Sequence, residues 1–149
     1  MKIDKELVEI GLEANSKEEV LRILGNRLVK AGFVKEGYIE SVLSREKNFP
    51  TGLPTVPFGV AIPHTDGDMV HVSKIAFASL KKPVKFFAMG RNDELIDVKM
   101  VFMLALKSPT DQLDMLQKLV GHFQSPDTVA KLAEVKDVEA LNELVADKE

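Results

Sequence analysis

The sequence contains no cysteine and no tryptophan, and only one tyrosine and three histidines among 149 residues. Without cysteine there is no disulfide framework, no thiolate metal site and no thiol nucleophile. Chemistry that needs a group titrating near neutral pH is confined to His64, His71 and His122. A basic excess is missing too, since 20 Lys and Arg against 23 Asp and Glu give a formal net charge of -3. A dedicated nucleic-acid binder carries clustered positive charge, so a protein or small-molecule partner is expected instead. No apolar run reaches the ~20 residues of a membrane helix, the longest candidate being 98–106 and its neighbours. The opening residues, Met1-Lys2-Ile3-Asp4-Lys5-Glu6, lack the apolar core of a signal peptide. These absences lead us to expect a cytoplasmic protein with no nucleic-acid binding and no membrane insertion.

What is present fits one domain spanning residues 1–149, with 45% apolar and 29% charged residues, enough to form a core without covalent staples. Ser16-Lys17-Glu18-Glu19 is a capping box, and Val20, Leu21, Ile23, Leu24, Leu28 and Val29 follow at helical spacing until Gly32. A second helix is predicted over 36–46, with Ile39, Val42 and Leu43 inward. The next stretch, Phe49-Pro50-Thr51-Gly52-Leu53-Pro54-Thr55-Val56-Pro57, is too rich in proline for regular structure. It leads into an apolar strand, Phe58-Gly59-Val60-Ala61-Ile62, which ends at Pro63-His64. Segments 74–80, 84–89 and 98–106 read as further strands, separated by turns at Lys82-Pro83 and Gly90-Arg91-Asn92-Asp93. Ser108-Pro109, Ser125-Pro126 and Asp137 then open three helices. The order predicts an α/β fold, a single layered domain with a mixed β-sheet flanked by helices.

His64 stands at the end of the buried strand, behind a proline, where a side chain is held still yet open to a partner. Three readings of it compete. It can be a hydrogen-bonded packing residue at the edge of the core. It can be a metal ligand together with Asp66, Asp68 and His71, although Asp66-Gly67-Asp68 is equally the chemistry of a solvated turn. It can be a nucleophile whose neutral imidazole accepts a group from one partner and passes it to another. Composition does not choose among them.

The surroundings carry a resemblance. Ser44-Arg45-Glu46-Lys47-Asn48-Phe49-Pro50-Thr51-Gly52, followed by Gly59-Val60-Ala61-Ile62-Pro63-His64, resembles the active-site signature of enzyme IIA proteins of the phosphoenolpyruvate-dependent sugar phosphotransferase system, mannitol/fructose class. The likeness extends along nearly the whole chain, including Asp111-Gln112-Leu113-Asp114-Met115-Leu116 and Gln124-Ser125-Pro126-Asp127. It implies a phosphotransferase without metal or cofactor. His64 would take a phosphoryl group from the phosphohistidine of HPr and give it to a cysteine or histidine of a cognate enzyme IIB. Arg45 would offset charge on the phosphoryl oxygens, with the Thr51 hydroxyl as a further donor.

Two features depart from the usual pattern. Gln112 stands where many relatives have a second histidine, and its amide can donate a hydrogen bond without carrying charge. Thr65 follows His64 where relatives commonly have Gly or Ala. With the inserted Leu53-Pro54-Thr55-Val56-Pro57-Phe58 stretch, the chain is most similar to galactitol-type enzyme IIA proteins. The alternative is a regulatory module of the same fold whose phosphorylation controls binding to a transporter, kinase or transcription factor. A metal-dependent hydrolase on the His64–His71 segment is a third. Serial docking of HPr and IIB would use an apolar patch including Phe49, Val56 and Phe58. His71 is expected to be a polar residue at a strand start, and His122 to interact with the negative end of its helix. The transported sugar, the oligomeric state and the IIB partner are not encoded in any of these residues.

Overall fold

Among the described residues, every α-helix except the second begins where a short polar side chain satisfies a free N–H group. The Ser16 hydroxyl accepts from Glu19 N–H at 3.2 Å, and the Glu19 carboxylate accepts from Asn15 N–H at 3.1 Å, which opens α1 (Lys17–Lys30). Ser108, Ser125 and Asp137 cap α3 (Pro109–Phe123), α4 (Pro126–Ala133) and α5 (Val138–Val145) in the same manner. These ends are the predicted ones. Between them, α2 (Tyr38–Asn48) lies two residues further along the chain than the spacing of its apolar residues predicts. The structure is a computed structural model and describes residues 2–146.

The strands are β1 (Val8–Leu12), β2 (Gly52–Leu53), β3 (Gly59–Ala61), β4 (Lys74–Ala88) and β5 (Arg91–Ala105), in sheet order β1-β4-β2-β3-β5. β1 runs parallel to β4, β2 antiparallel to β3, and β3 parallel to β5. β4 and β5 form a long antiparallel hairpin, and β4 also meets β2 at Gly52 and Ala88. The pairings among β4, β2, β3 and β5 therefore close on themselves, so that the far end of the sheet curls into a ring.

Three sequence expectations need correction. Lys82-Pro83 is not a turn between two strands. The register shifts between Ser79 and Val84, and the exposed Pro83 rides on that irregularity, where its missing N–H breaks no ladder bond. One bent strand thus replaces two. The turn at the other end is tighter than predicted, with Gly90 at φ +77°, and β5 starts at Arg91 rather than 98. Its first half carries Glu94 and Asp97 outward and pairs Ile96 with Phe86. Finally, β1 was not foreseen, and the proline-rich segment contains the short β2.

Because the central strands are covered on both faces, they read as continuous apolar runs. Their alternate residues nevertheless enter different layers. Ala76, Ala78, Val101 and Met103 pack with Leu21, Leu24 and Leu28 of α1 and with Tyr38 and Val42 of α2. Ile75, Phe77, Met100 and Phe102 pack with Leu119 and Phe123 of α3 and with residues of α4 and α5. The Phe77 and Phe102 rings meet edge to face at 4.9 Å. Truncating Phe102 to Ala is expected to cost about 3–5 kcal/mol. The result is the predicted mixed-sheet α/β sandwich, with the chain leaving β3 at a point where both helical layers reach it.

Candidate active site

That exit carries His64. Pro63 carbonyl accepts from Leu104 N–H at 2.9 Å, extending the β3–β5 pairing so that His64 sits beside Leu104 as an isolated parallel bridge. His64 Nδ1 lies 2.9 Å from the Ile62 carbonyl. A carbonyl only accepts, so Nδ1 carries the hydrogen and the lone pair is left on Nε2. Burial pushes the imidazole pKa below its ordinary value, the Ile62 carbonyl opposes that shift, and the nearby Arg45 guanidinium adds to it. The ring is thus a neutral, oriented base at physiological pH.

The backbone on either side of the histidine is held by groups from both layers. From α2, the buried Tyr38 hydroxyl donates to the Leu104 carbonyl at 3.1 Å, and Ser41 and Thr65 share a short hydroxyl–hydroxyl bond. From α3, Gln112 Nε2 donates to the Thr65 carbonyl at 3.0 Å and to the Leu106 carbonyl at 3.2 Å. Gly67 passes so close to Lys107 that a Cβ there would lie 1.8 Å from its carbonyl oxygen. Any side chain would force the His64 loop away from the end of β5.

At the other end of α2, the Arg45 carbonyl accepts from Phe49 N–H at 2.6 Å, and its guanidinium lies 5.3 Å from the Phe49 ring centre. Glu46, next to it, is 3% exposed. Its carboxylate accepts from Thr51 N–H at 2.8 Å and from the Thr51 hydroxyl at 2.7 Å. Burial raises its pKa to about 7, against the lowering effect of those two bonds and of Lys17.

The sequence-derived candidates are therefore placed unevenly. Arg45 faces His64 closely enough to alter its titration. Thr51 is buried, with its hydroxyl directed at Glu46 instead of outward. Both amide hydrogens of Gln112 are engaged by backbone carbonyls. Phe49 and Val56 are 64% and 63% exposed, and Phe58 is half-buried. His71 is exposed, and its backbone N–H binds the Phe33 carbonyl. His122 lies in the last turn of α3. Among the described residues no three His, Asp or Glu side chains converge in a metal-ligand arrangement, so His64, Asp66, Asp68 and His71 do not form the cluster that a hydrolase would need. Sequence reasoning missed Glu46, Tyr38, Ser41 and the internal role of Thr65. The signal for Glu46 was its phase: Tyr38, Val42 and Glu46 recur every four residues and are the buried positions of α2.

A neutral imidazole with one nitrogen tied down, under the influence of a guanidinium charge, has the chemistry needed to hold an anionic group on its free nitrogen. The comparisons with known proteins agree. Residues 1–148 match the family model described as "Phosphoenolpyruvate-dependent sugar phosphotransferase system, EIIA 2", and the chain belongs to that family. The galactitol-specific EIIA component of Escherichia coli K12 is 31% identical over 126 residues, which cover 84% of this chain and 83% of that protein. The mannitol-specific EIICBA component of Pasteurella multocida is 31% identical over 135 residues, 89% of this chain but 20% of that longer protein. Among solved structures, mannitol IIA of E. coli superposes with a TM-score of 0.80 at 26% identity, covering 98% of this chain and 100% of that one. Mannitol IIA in complex with phosphorylated mannitol IIB of E. coli gives the same TM-score and identity, over 99% of each chain. Enzyme IIA components are phosphotransferases that work through a phosphohistidine intermediate.

Proposed function

We propose that this chain is a single-domain cytoplasmic phosphoryl carrier for uptake of a sugar or sugar alcohol, taking phosphate from phospho-HPr on His64 and giving it to a cognate enzyme IIB. The observation that carries the reading is the bond from Nδ1 to the Ile62 carbonyl, which fixes the ring and leaves Nε2 as the nucleophile. Attack by Nε2 forms a P–N bond while the donor's P–N bond breaks, its electron pair returning to the donor nitrogen. The second transfer repeats this with the IIB nucleophile, and Nδ1 keeps its hydrogen throughout. Such transfer is mainly positioning and charge stabilisation, so Arg45 supplies the positive charge beside the phosphoryl oxygens. Thr51 and Gln112 act as braces for the loop, because their donors are already used within the protein. Galactitol is the favoured transported compound because the match to galactitol-specific EIIA spans 83% of that protein, whereas the equally identical mannitol-specific EIICBA is matched over 20% of its length.

The test is transfer of label from phosphoenolpyruvate through enzyme I and HPr to wild type and His64→Ala. Acid-labile label on wild type and none on the variant is the expected result. A folded wild type that takes no label would sink the proposal.

A further inference from the structure

Glu46 has no part in the chemistry above, yet among the described residues it is the only charged residue that is buried. A buried carboxylate is costly unless it does something an apolar side chain cannot. Its two bonds go to one residue, Thr51, through the backbone N–H and the hydroxyl. The Thr51 carbonyl in turn accepts from Ile62 N–H at 3.3 Å, and the Ile62 carbonyl accepts from His64 Nδ1 at 2.9 Å. An unbroken series of contacts thus runs from Glu46 through Thr51 and Ile62 to the imidazole. Glu46 is also joined through one peptide bond to Arg45, whose carbonyl ends the helix by accepting from Phe49 N–H.

We propose that Glu46 is a positioning residue for phosphoryl transfer, a clamp that fixes residues Thr51 and Ile62 and thereby the Nδ1–H tautomer and orientation of His64. The role is geometric. A glutamine can reproduce it, its oxygen accepting from Thr51 N–H and its amide donating to a Thr51 hydroxyl turned to accept. Alanine leaves the buried Thr51 N–H without its partner, and the Ile62 carbonyl is then free to drift from the ring. This inference rests on the phosphocarrier reading for its significance, but its structural core can be tested without transfer.

The experiment records the ¹⁵N signals of the His64 imidazole in unphosphorylated wild type, Glu46→Gln and Glu46→Ala above pH 7, with kcat and KM for transfer from phospho-HPr measured on the same proteins. Wild type and Glu46→Gln should show one tautomer, hydrogen on Nδ1. Glu46→Ala should show exchange between tautomers and a fall in kcat of about tenfold to a hundredfold with little change in KM. If Glu46→Ala does not fold, Thr51→Val, which keeps the N–H bond and removes the hydroxyl, should move both readouts in the same direction by less. Wild-type tautomer and kcat in the folded clamp variant overturn the inference, as does a Glu46→Gln protein as impaired as Glu46→Ala, which would make charge the essential property. A wild type that accepts no phosphate would defeat the phosphocarrier reading, while the tautomer signals would still decide whether the clamp exists.

Discussion

The loop that carries His64 is braced from two sides, and the two braces differ in kind. The α2 side brings a guanidinium, a buried carboxylate and three hydroxyl or phenol groups, in Arg45, Glu46, Ser41, Thr51 and Tyr38. The α3 side brings one neutral amide, that of Gln112, tied to two carbonyls. Both sides thus tether the backbone around the imidazole, but charge is found on the α2 side alone. For transfer of a dianionic group, the charged side can stabilise the transition state, whereas the neutral side can only hold the backbone in place. An amide with both hydrogens engaged has no donor left for a phosphoryl oxygen. This difference predicts which substitutions change rate and which change stability.

The largest effect is expected at Arg45. Arg45→Met should lower the transfer rate by about a hundredfold or more, as loss of a preorganised charge partner does. It should also change the pH dependence. Burial, chiefly, and then Arg45 hold the His64 pKa below its ordinary 6.5, so wild-type activity should persist at pH 6.5 and fail only at lower pH as the nucleophile is protonated. Without Arg45 the acid limb should move upward. The same shift links to stability: with the folded pKa depressed, the contribution from His64 is full above 6.5 and is lost as pH falls through the folded value. Single-turnover rates from pH 5 to 8 check both points, and an acid limb that stays put in Arg45→Met would remove the electrostatic role.

Glu46 should give the next largest effect, on stability. Its folded pKa of about 7 exceeds its ordinary 4.5, so the folded state binds more protons than the unfolded state between those values. Stability is therefore lost as pH rises from 4.5 to 7, and above that range the ionised carboxylate costs on the order of 3 kcal/mol. Lys17 and Glu18, which face it from α1, already act on that value in opposite directions. Glu46→Gln has no such charge. It should melt several degrees above wild type at pH 8, and the gap should close near pH 5. Equal melting at both pH values would mean that the carboxylate is better solvated than its burial implies.

Why these contrasts were only partly legible in the sequence follows from how each residue is positioned. The Ser-Pro and Asp caps of α3, α4 and α5 are local chemistry, so their starts could be read directly. So could the apolar strand ending at His64, as part of a signature in order. β1 could not, because its five residues are ordered by pairing with Phe77 to Leu80, almost 70 positions away. The single strand across Lys82-Pro83 was hidden for the same reason: only its partner β5 absorbs the register shift. At the site, residue type was misleading where burial decided the outcome. Thr51 invited a role toward phosphate, yet its hydroxyl serves a carboxylate whose charge argued for solvent. The inward phase of Glu46 on α2 was the contrary signal.

Gln112 tests the neutral brace. Gln112→Ala removes two bonds to carbonyls and should cost about 1–2 kcal/mol in unfolding free energy, with a transfer rate reduced only severalfold and an unchanged acid limb. Chemical denaturation and the same pH series measure this. A rate loss equal to that of Arg45→Met would erase the division between the two braces, because a tether would then matter as much as a charge.

The smallest effect should come from the exposed rim, and it separates docking from chemistry. Phe49 and Val56 are more than three-fifths exposed, so they contribute little to folding as they stand. If HPr and IIB cover them in turn, truncation removes apolar area from a transient interface and weakens each encounter by about 1 kcal/mol or less per side chain. The expected signature is a severalfold rise in KM for both partners, with melting unchanged and kcat nearly so. Phe49 adds a further distinction, because its ring lies 5.3 Å from the Arg45 guanidinium. Phe49→Leu keeps apolar area but removes the ring face, so a fall in kcat with KM preserved would show that Phe49 positions Arg45. A rise in KM that Leu rescues would assign it to docking, and the charged brace would then act through Arg45 without help from the rim.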